Sequence, residues 1–251
     1  MDIAFKTDIG KKRQTNQDYV QVYRNQANVV FAVVADGMGG HRGGDVASDM
    51  VVNHFGTEFQ KNTSRDIKEV SHWANDILTL ENKRVIALSN QDSELTGMGT
   101  TIVGAFVFPK QLVVFNVGDS RCYLLRDGKL QQLSFDHSLV NELLISGAIT
   151  EQEAKHHPNK NIITQSLGVS PDVSPTFGTF DLQASDQLLL CSDGLSNMVD
   201  DEQLEQVLQK KLTAQQKCDL LIQMANDAGG SDNITALVVD MQGNSEVVAH
   251  D

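Results

Sequence analysis

Basic residues are scarce in this 251-residue chain: 20 Lys and Arg stand against 33 Asp and Glu, a formal net charge of −13. Diffuse binding of nucleic acid or of an anionic membrane needs clustered cations, so both are excluded as partners. Cysteine is nearly absent. Cys122, Cys191 and Cys218 are too few and too scattered for a disulfide framework or a thiolate zinc site, and each has the apolar neighbours of a core residue. With 4 prolines, no linker rich in Pro or Ser divides the chain, and it has no repeat or low-complexity tract. The longest apolar run, Val29 to Ala35, is far below the roughly 18 residues of a membrane helix. Met1 to Lys6 lacks the charged and apolar regions of a secretory signal. A cytoplasmic protein with no membrane insertion is expected. One domain over 1–241 is expected too, with 242–251 losing apolar periodicity as a frayed tail.

What is present reads as strands and helices in separate groups. Ile3–Thr7, Tyr19–Tyr23 and Val29–Ala35 form one group of strands. Thr101–Phe108, Leu112–Val117, Cys122–Leu125 and Leu130–Leu133 form a second, with a hairpin signal at Asp127-Gly128. Their short connections predict antiparallel neighbours throughout. Gln187–Cys191 and Ile234–Asp240 must join from a distance. Helical spacing of apolar residues predicts helices over Asp45–Gln60, Ser64–Ser89, Glu202–Lys211 and Ala214–Ala228. Such segregation indicates an α+β domain and not a doubly wound sheet.

Four aspartates sit where an apolar strand meets a turn containing Gly or Ser: Asp36 in Asp36-Gly37-Met38-Gly39-Gly40, Asp119 in Gly118-Asp119-Ser120, Asp193 in Ser192-Asp193-Gly194, and Asp232 in Ser231-Asp232-Asn233. Two readings are open. Each carboxylate could accept a backbone N–H within its own turn. Alternatively the four meet at one rim, where like charges raise one another's pKa and call for a hard divalent cation. A basic run ending in Arg13 precedes Asn16-Gln17-Asp18; Arg13 reads either as a solvated charge or as a planar fork for a phosphate group. The Gly37–Gly44 loop does not satisfy G-x-G-x-x-G, no G-K-[ST] occurs, and Ser192 lies in no nucleophile elbow, which disfavours a kinase, a dehydrogenase and a serine hydrolase. His137, His156 and His157 lack metal-ligand spacing and read as capping or packing residues.

Six ordered segments carry a resemblance: Arg13-x-x-Asn16-Gln17-Asp18, Ala35-Asp36-Gly37-Met38-Gly39-Gly40-His41, Gly97-Met98-Gly99-Thr100-Thr101, Val117-Gly118-Asp119-Ser120-Arg121, Ser192-Asp193-Gly194 and Ser231-Asp232-Asn233-Ile234-Thr235. Together they resemble the bacterial branch of the type-2C metal-dependent serine/threonine protein phosphatases. The resemblance implies two packed antiparallel sheets flanked by pairs of helices, in α-β-β-α layers. It implies two Mn²⁺ or Mg²⁺ ions, with Asp36 bridging them, the Gly37 carbonyl helping to hold the first, and Asp193 and Asp232 completing the second. Asp119, with Asp193, would hold a third, weaker ion. Asp18 and Gln17 would act through metal-bound waters, Gln17 standing where many relatives carry Glu. Asn233 belongs to the surrounding shell.

The reaction implied is direct attack on phosphoserine or phosphothreonine by water bridging the two ions, with Arg13 orienting the phosphoryl oxygens. Met38 replaces the His of eukaryotic relatives, His41 is read as structuring its loop, and the leaving alkoxide's proton is assigned to a metal-bound water. A flap over 146–164 is expected, with Lys160 where many relatives have Arg. Phosphorylated proteins and an opposing Ser/Thr kinase are the expected partners, and a monomer the expected state. The alternative is a catalytically dead relative that binds phosphoproteins or a signalling partner.

Overall fold

Successive side chains of a strand point to opposite faces, and that rule places most of this molecule. The computed structural model describes residues 1–39, 43–155 and 157–242. One sheet has five strands: β1 (Asp2–Asp8), β7 (Arg121–Arg126), β8 (Lys129–Gln132), β10 (Gln187–Cys191) and β11 (Ile234–Asp240), in the order β1-β11-β10-β7-β8. The other has six: β2 (Asp18–Arg24), β3 (Val30–Met38), β5 (Ile102–Val107), β6 (Gln111–Val117) and β9 (Thr176–Asp181), in the order β2-β3-β5-β6-β9, with β4 (Gly99–Thr100) pairing the end of β3. Every pairing is antiparallel.

In β3, Phe31, Val33 and Ala35 face outward onto the helices α1 (Gly43–Lys61) and α2 (Ile67–Gln91). Val30, Ala32 and Val34 face inward and meet Leu188, Leu190, Leu237 and Val239 of the other sheet. The outer face of that second sheet buries Leu189, Cys191, Ala236 and Val238 against α6 (Asp201–Leu208) and α7 (Ala214–Asp227). The layers are therefore helices, sheet, sheet, helices, as expected. All three cysteines are buried core residues.

The expected helices are present with shifted ends. The second begins at Ile67 because Asp66 caps it, its side chain accepting from Glu69 N–H. Capping boxes at Asp200 and Thr213 start α6 and α7. The hairpin at Asp127-Gly128 has both residues at positive φ, 51° and 73°. One expectation is corrected: β6 and β7 are not neighbours. Gly118, at φ 105°, turns the chain from one sheet to the other, so a short connection here bridges the sandwich instead of closing a hairpin. The edge strand β9 and the short helices α3 (Leu139–Ile145), α4 (Glu151–Lys155) and α5 (Asp193–Ser196) were not expected. None of them carries a strong apolar period; α3 buries no residue at all. The tail beyond Gln242, with His41 and His156, lies outside the described residues.

Phe31 is the hub of the outer core. Its ring lies 4.7 Å from Phe106, 4.9 Å from Phe55 and 5.4 Å from Phe59, centroid to centroid. Truncation to alanine leaves a cavity those neighbours cannot fill, so Phe31→Ala should lower the unfolding free energy by about 3–5 kcal/mol. Chemical denaturation checks this; a loss below about 1 kcal/mol would show that this aromatic cluster is not the packing centre.

Candidate active site

The inward parity of the strands continues past the apolar residues into polar ones. On β3 the series Val30, Ala32, Val34 leads to Asp36; on β2, Val22 and Val20 lead to Asp18. On β11, Val239 and Leu237 lead to Thr235, and beyond β10, Leu188 and Leu190 lead to Ser192. Thr101, before β5, and Ser120, before β7, fall on the same face. The inter-sheet core thus ends, on one side of the molecule, in a layer of carboxylates and hydroxyls.

Asp18 and Asp36 are cross-strand partners. Like charges placed directly opposite are destabilising, and the surroundings compensate only in part. Asp18 Oδ2 accepts from Ser192 Oγ and Thr235 Oγ1, both at 2.6 Å, while its Oδ1 is buried without a hydrogen-bond partner. Burial pushes the Asp18 carboxyl up to about 7 despite those two bonds. Asp36 is pushed well above the ordinary range by burial and then by the charges of Asp18, Asp193, Asp119 and Asp232. Burial raises Asp119 to about 7, with Asp193 adding to it, and Asp119 Oδ1 is likewise buried and unpartnered. Asp193 is raised by burial and by Asp232, against a hydrogen bond with the Asp36 carboxyl. The four aspartates of the turns, far apart in sequence, therefore share one electrostatic site with Asp18.

Backbone positions are fixed closely. The Asp36 N–H donates to Thr101 Oγ1 at 3.1 Å, and its carbonyl accepts from Thr101 N–H at 2.8 Å and Thr100 Oγ1 at 3.0 Å. Thr101 Oγ1 and Ser120 Oγ lie 2.8 Å apart, which ties the Asp36 strand to the Asp119 turn. A Cβ on Gly37 would overlap the Gly44 carbonyl, so only glycine lets α1 approach here. The Gly37 N–H donates to the Gln17 carbonyl at 3.0 Å.

Arg13 reaches the site from an exposed segment. Its Nη2 donates to Asp232 Oδ2 at 2.7 Å, and this bond, with the charges of Asp232, Asp36 and Asp193, raises its pKa. Asn233 holds that segment down. Its Oδ1 accepts from Gln17 N–H at 2.9 Å, and its Nδ2 donates to the carbonyls of Ile9 and Thr15 at 3.0 and 2.9 Å. The structure thus brings together Arg13, Asp18, Asp36, Gly37, Asp119, Asp193 and Asp232, with Gln17 and Asn233 behind them.

Sequence reasoning missed the hydroxyl layer of Thr101, Ser120, Ser192 and Thr235. For Ser120 and Ser192 the signal was adjacency to Asp119 and Asp193; Thr235 lies three residues beyond Asp232, and Thr101 stands next to no site aspartate in sequence. The packing role expected of His137 is what is seen. Its Nδ1 accepts from Gly118 N–H at 3.1 Å, its own N–H donates to the Gly118 carbonyl, and Nε2 lies 2.9 Å from Thr176 Oγ1. Accepting at Nδ1 assigns the proton of the neutral ring to Nε2, and burial favours that neutral form. His157 Nδ1 accepts from Asn159 N–H within its own turn.

Known proteins share this arrangement of sequence and fold. The family described as Protein phosphatase 2C matches residues 9–235. A relative named Serine/threonine phosphatase stp, from Listeria monocytogenes serotype 4b, is 44% identical over 241 residues, which cover 96% of each chain. The solved serine/threonine phosphatase of S. agalactiae superposes with a TM-score of 0.91 at 40% identity, covering 94% of this chain and 98% of that one. The catalytic domain of the phosphatase PstP, solved in complex with 2 manganese ions, superposes with a TM-score of 0.83 at 34% identity, covering 95% and 96%. With nearly the whole length matched in sequence and in fold, this chain belongs to the protein phosphatase 2C family.

Proposed function

We propose that the protein is a metal-dependent phosphatase that hydrolyses phosphoserine and phosphothreonine on proteins. The observation that carries this reading is the electrostatic convergence of four aspartates, Asp18, Asp119, Asp193 and Asp232, on Asp36, two of the four with a buried oxygen that no protein group satisfies. The donors are all oxygens, which fits hard divalent cations such as Mn²⁺ and Mg²⁺ and not zinc. Among the described residues, no three acidic, His or Cys side chains are grouped to hold an ion as they stand. Asp36, Asp193, Asp232 and the Gly37 carbonyl would hold two ions, and Asp119 with Asp193 a third. Such ions, when bound, supply an activated water nucleophile at neutral pH and polarise the phosphoryl oxygens.

The chain's own groups do the rest. Arg13 is paired to Asp232; were Asp232 to hold a cation, the guanidinium would be free to offer its planar donors to two phosphoryl oxygens. Ser192 and Thr235 hold Asp18 in place behind Asp36. Asn233 fixes the height of the Arg13 segment above the site. Met38 carries no ionisable group and takes no part in protonating the leaving alkoxide.

Residues 1–241 act as one catalytic unit, with 146–164 as a flap bearing on substrate choice. The protein works in the cytoplasm as a monomer, against a Ser/Thr kinase; no described helix is long and apolar enough to cross a membrane. A catalytically dead, partner-binding relative would lack part of the aspartate set, and this chain keeps it entire.

Two outcomes check this reading. Asp18 and Asp119, with pKa values raised to about 7, bind more protons folded than unfolded. Their contribution to stability is full below about pH 4 and lost as the pH rises through about 7. Differential scanning fluorimetry in EDTA should show that loss, and Mn²⁺ should raise the melting temperature more at about pH 7.5 than at about pH 5. An Mn²⁺ shift that is absent, or equal at both pH values, would contradict the metal reading. In assays of phosphate release from a phosphothreonine peptide, Asp36→Asn, Asp193→Asn and Asp232→Asn should each lose about 100-fold or more of the Mn²⁺-dependent rate. Arg13→Ala should lose roughly 100- to 1,000-fold in kcat/KM, partly restored by Arg13→Lys. Activity that persists in EDTA would refute it.

A further inference from the structure

Asn16 belongs to one of the six ordered segments, and neither the proposed cation ligands nor Arg13 account for it. Its side chain makes two bonds that fix which way round the amide lies. Oδ1 accepts from the Asp18 N–H at 3.1 Å, so Nδ2 faces the other way and donates to Thr7 Oγ1 at 2.8 Å. Thr7 stands on the edge strand β1, on the face by which Ile3 packs into the inter-sheet core, and directly opposite Thr235 on β11. The two threonine hydroxyls lie 2.8 Å apart, a cross-strand pair of the stabilising kind. Thr235 Oγ1 in turn lies 2.6 Å from Asp18 Oδ2.

These residues close a ring that leaves Asp18 at its N–H and returns to it at Oδ2. Both ends set its direction. An ionised carboxylate only accepts, so Thr235 spends its one hydroxyl proton on Asp18. The proton between the two threonines is then Thr7's, and Thr7 accepts from the Asn16 amide. Every side-chain donor points toward the Asp18 carboxyl, and bonds chained in one direction strengthen one another. Ser192 Oγ brings a second donor to Oδ2 at 2.6 Å. Oδ2 is thus committed twice, while Oδ1 is buried with no hydrogen-bond partner.

We propose that Asn16 and Thr7 are positioning residues for the reaction: their ring keeps both hydroxyl donors on Asp18 Oδ2, so that Oδ1 stays available to the cation site at Asp36. The inference rests on the metal-dependent phosphatase reading above and adds to it two residues that touch neither cation nor substrate. Without the Thr7 hydroxyl, nothing fixes the direction of the Thr235 hydroxyl. The Asp18 carboxyl then keeps one firm donor, Ser192, and can turn about its Cβ–Cγ bond to share Oδ1 with it. The Asn16–Thr7 bond also closes the base of the loop that carries Arg13. The two residues are nine positions apart, and Asn233 spans Ile9 and Thr15 just inside them. Asp18 and the Arg13 segment therefore hang on one set of bonds.

The test measures Mn²⁺ binding to EDTA-stripped protein by electron paramagnetic resonance, on variants first shown to be folded by a thermal melt in EDTA. Thr7→Val keeps the shape of the side chain and removes the hydroxyl; it should raise the half-saturating Mn²⁺ concentration by about fivefold or more. Thr7→Ser keeps the hydroxyl and should stay within about twofold of wild type. Thr7 is exposed, so Thr7→Ala leaves room for a water to stand in for the hydroxyl and should fall between the two. Asn16→Ala breaks the ring from the loop without touching β1, and should weaken binding about as much as Thr7→Val; it decides the matter alone if Thr7→Val does not fold. Wild-type Mn²⁺ binding in folded Thr7→Val or in Asn16→Ala overturns the inference, as does a Thr7→Ser protein weakened as much as Thr7→Val, and each leaves the parent reading intact. A wild-type protein that binds no Mn²⁺ overturns the parent reading, and this inference with it.

Discussion

Everything in this molecule is arranged around negative charges that repel one another at the end of an apolar layer. Asp18 and Asp36 face each other across two strands, and Asp119, Asp193 and Asp232 add their fields to Asp36. Removed from water, such a group of carboxylates is unstable without protons or cations. The surrounding fold tolerates it because each carboxylate is carried on backbone that the sandwich has already fixed. Valines and leucines of both sheets lock the strands, and the next inward residue on each strand is polar.

Hydroxyls do the local work that cations cannot do for the backbone. Thr101, Ser120, Ser192 and Thr235 each bond to a carboxylate, to the backbone beside one, or to each other. These bonds tie the layer to the backbone of four strands and leave one oxygen each of Asp18 and Asp119 unpartnered. Asn233 extends the same logic to the exposed segment, where three bonds from one amide decide where the Arg13 guanidinium can reach.

Much of this was legible in the sequence, for identifiable reasons. Strands such as Val29–Ala35 and Ile234–Asp240 announce themselves because they are buried on both faces, and the helices because one stripe of each is apolar. The turns holding Asp36, Asp119, Asp193 and Asp232 could be picked out, but a turn aspartate alone is ambiguous; only the order of six segments made a common site the better reading. The crossing at Gly118 was missed because a short connection normally closes a hairpin, and nothing local says that His137 and Asn116 will pin that glycine between sheets. The short helix α3 was missed because it buries no residue, and a helix without a buried stripe leaves no period to read.

The central claim is that these gathered aspartates exist to hold divalent cations. Electron paramagnetic resonance of Mn²⁺ titrated into EDTA-stripped protein counts held ions directly, independent of turnover. The account predicts at least two ions per chain at neutral pH, reduced when Asp36 is changed to Asn, since the charges of the other four aspartates all act on that carboxylate. A titration in which all Mn²⁺ stays free in solution, or in which the Asp36→Asn protein binds as the wild type does, would contradict it.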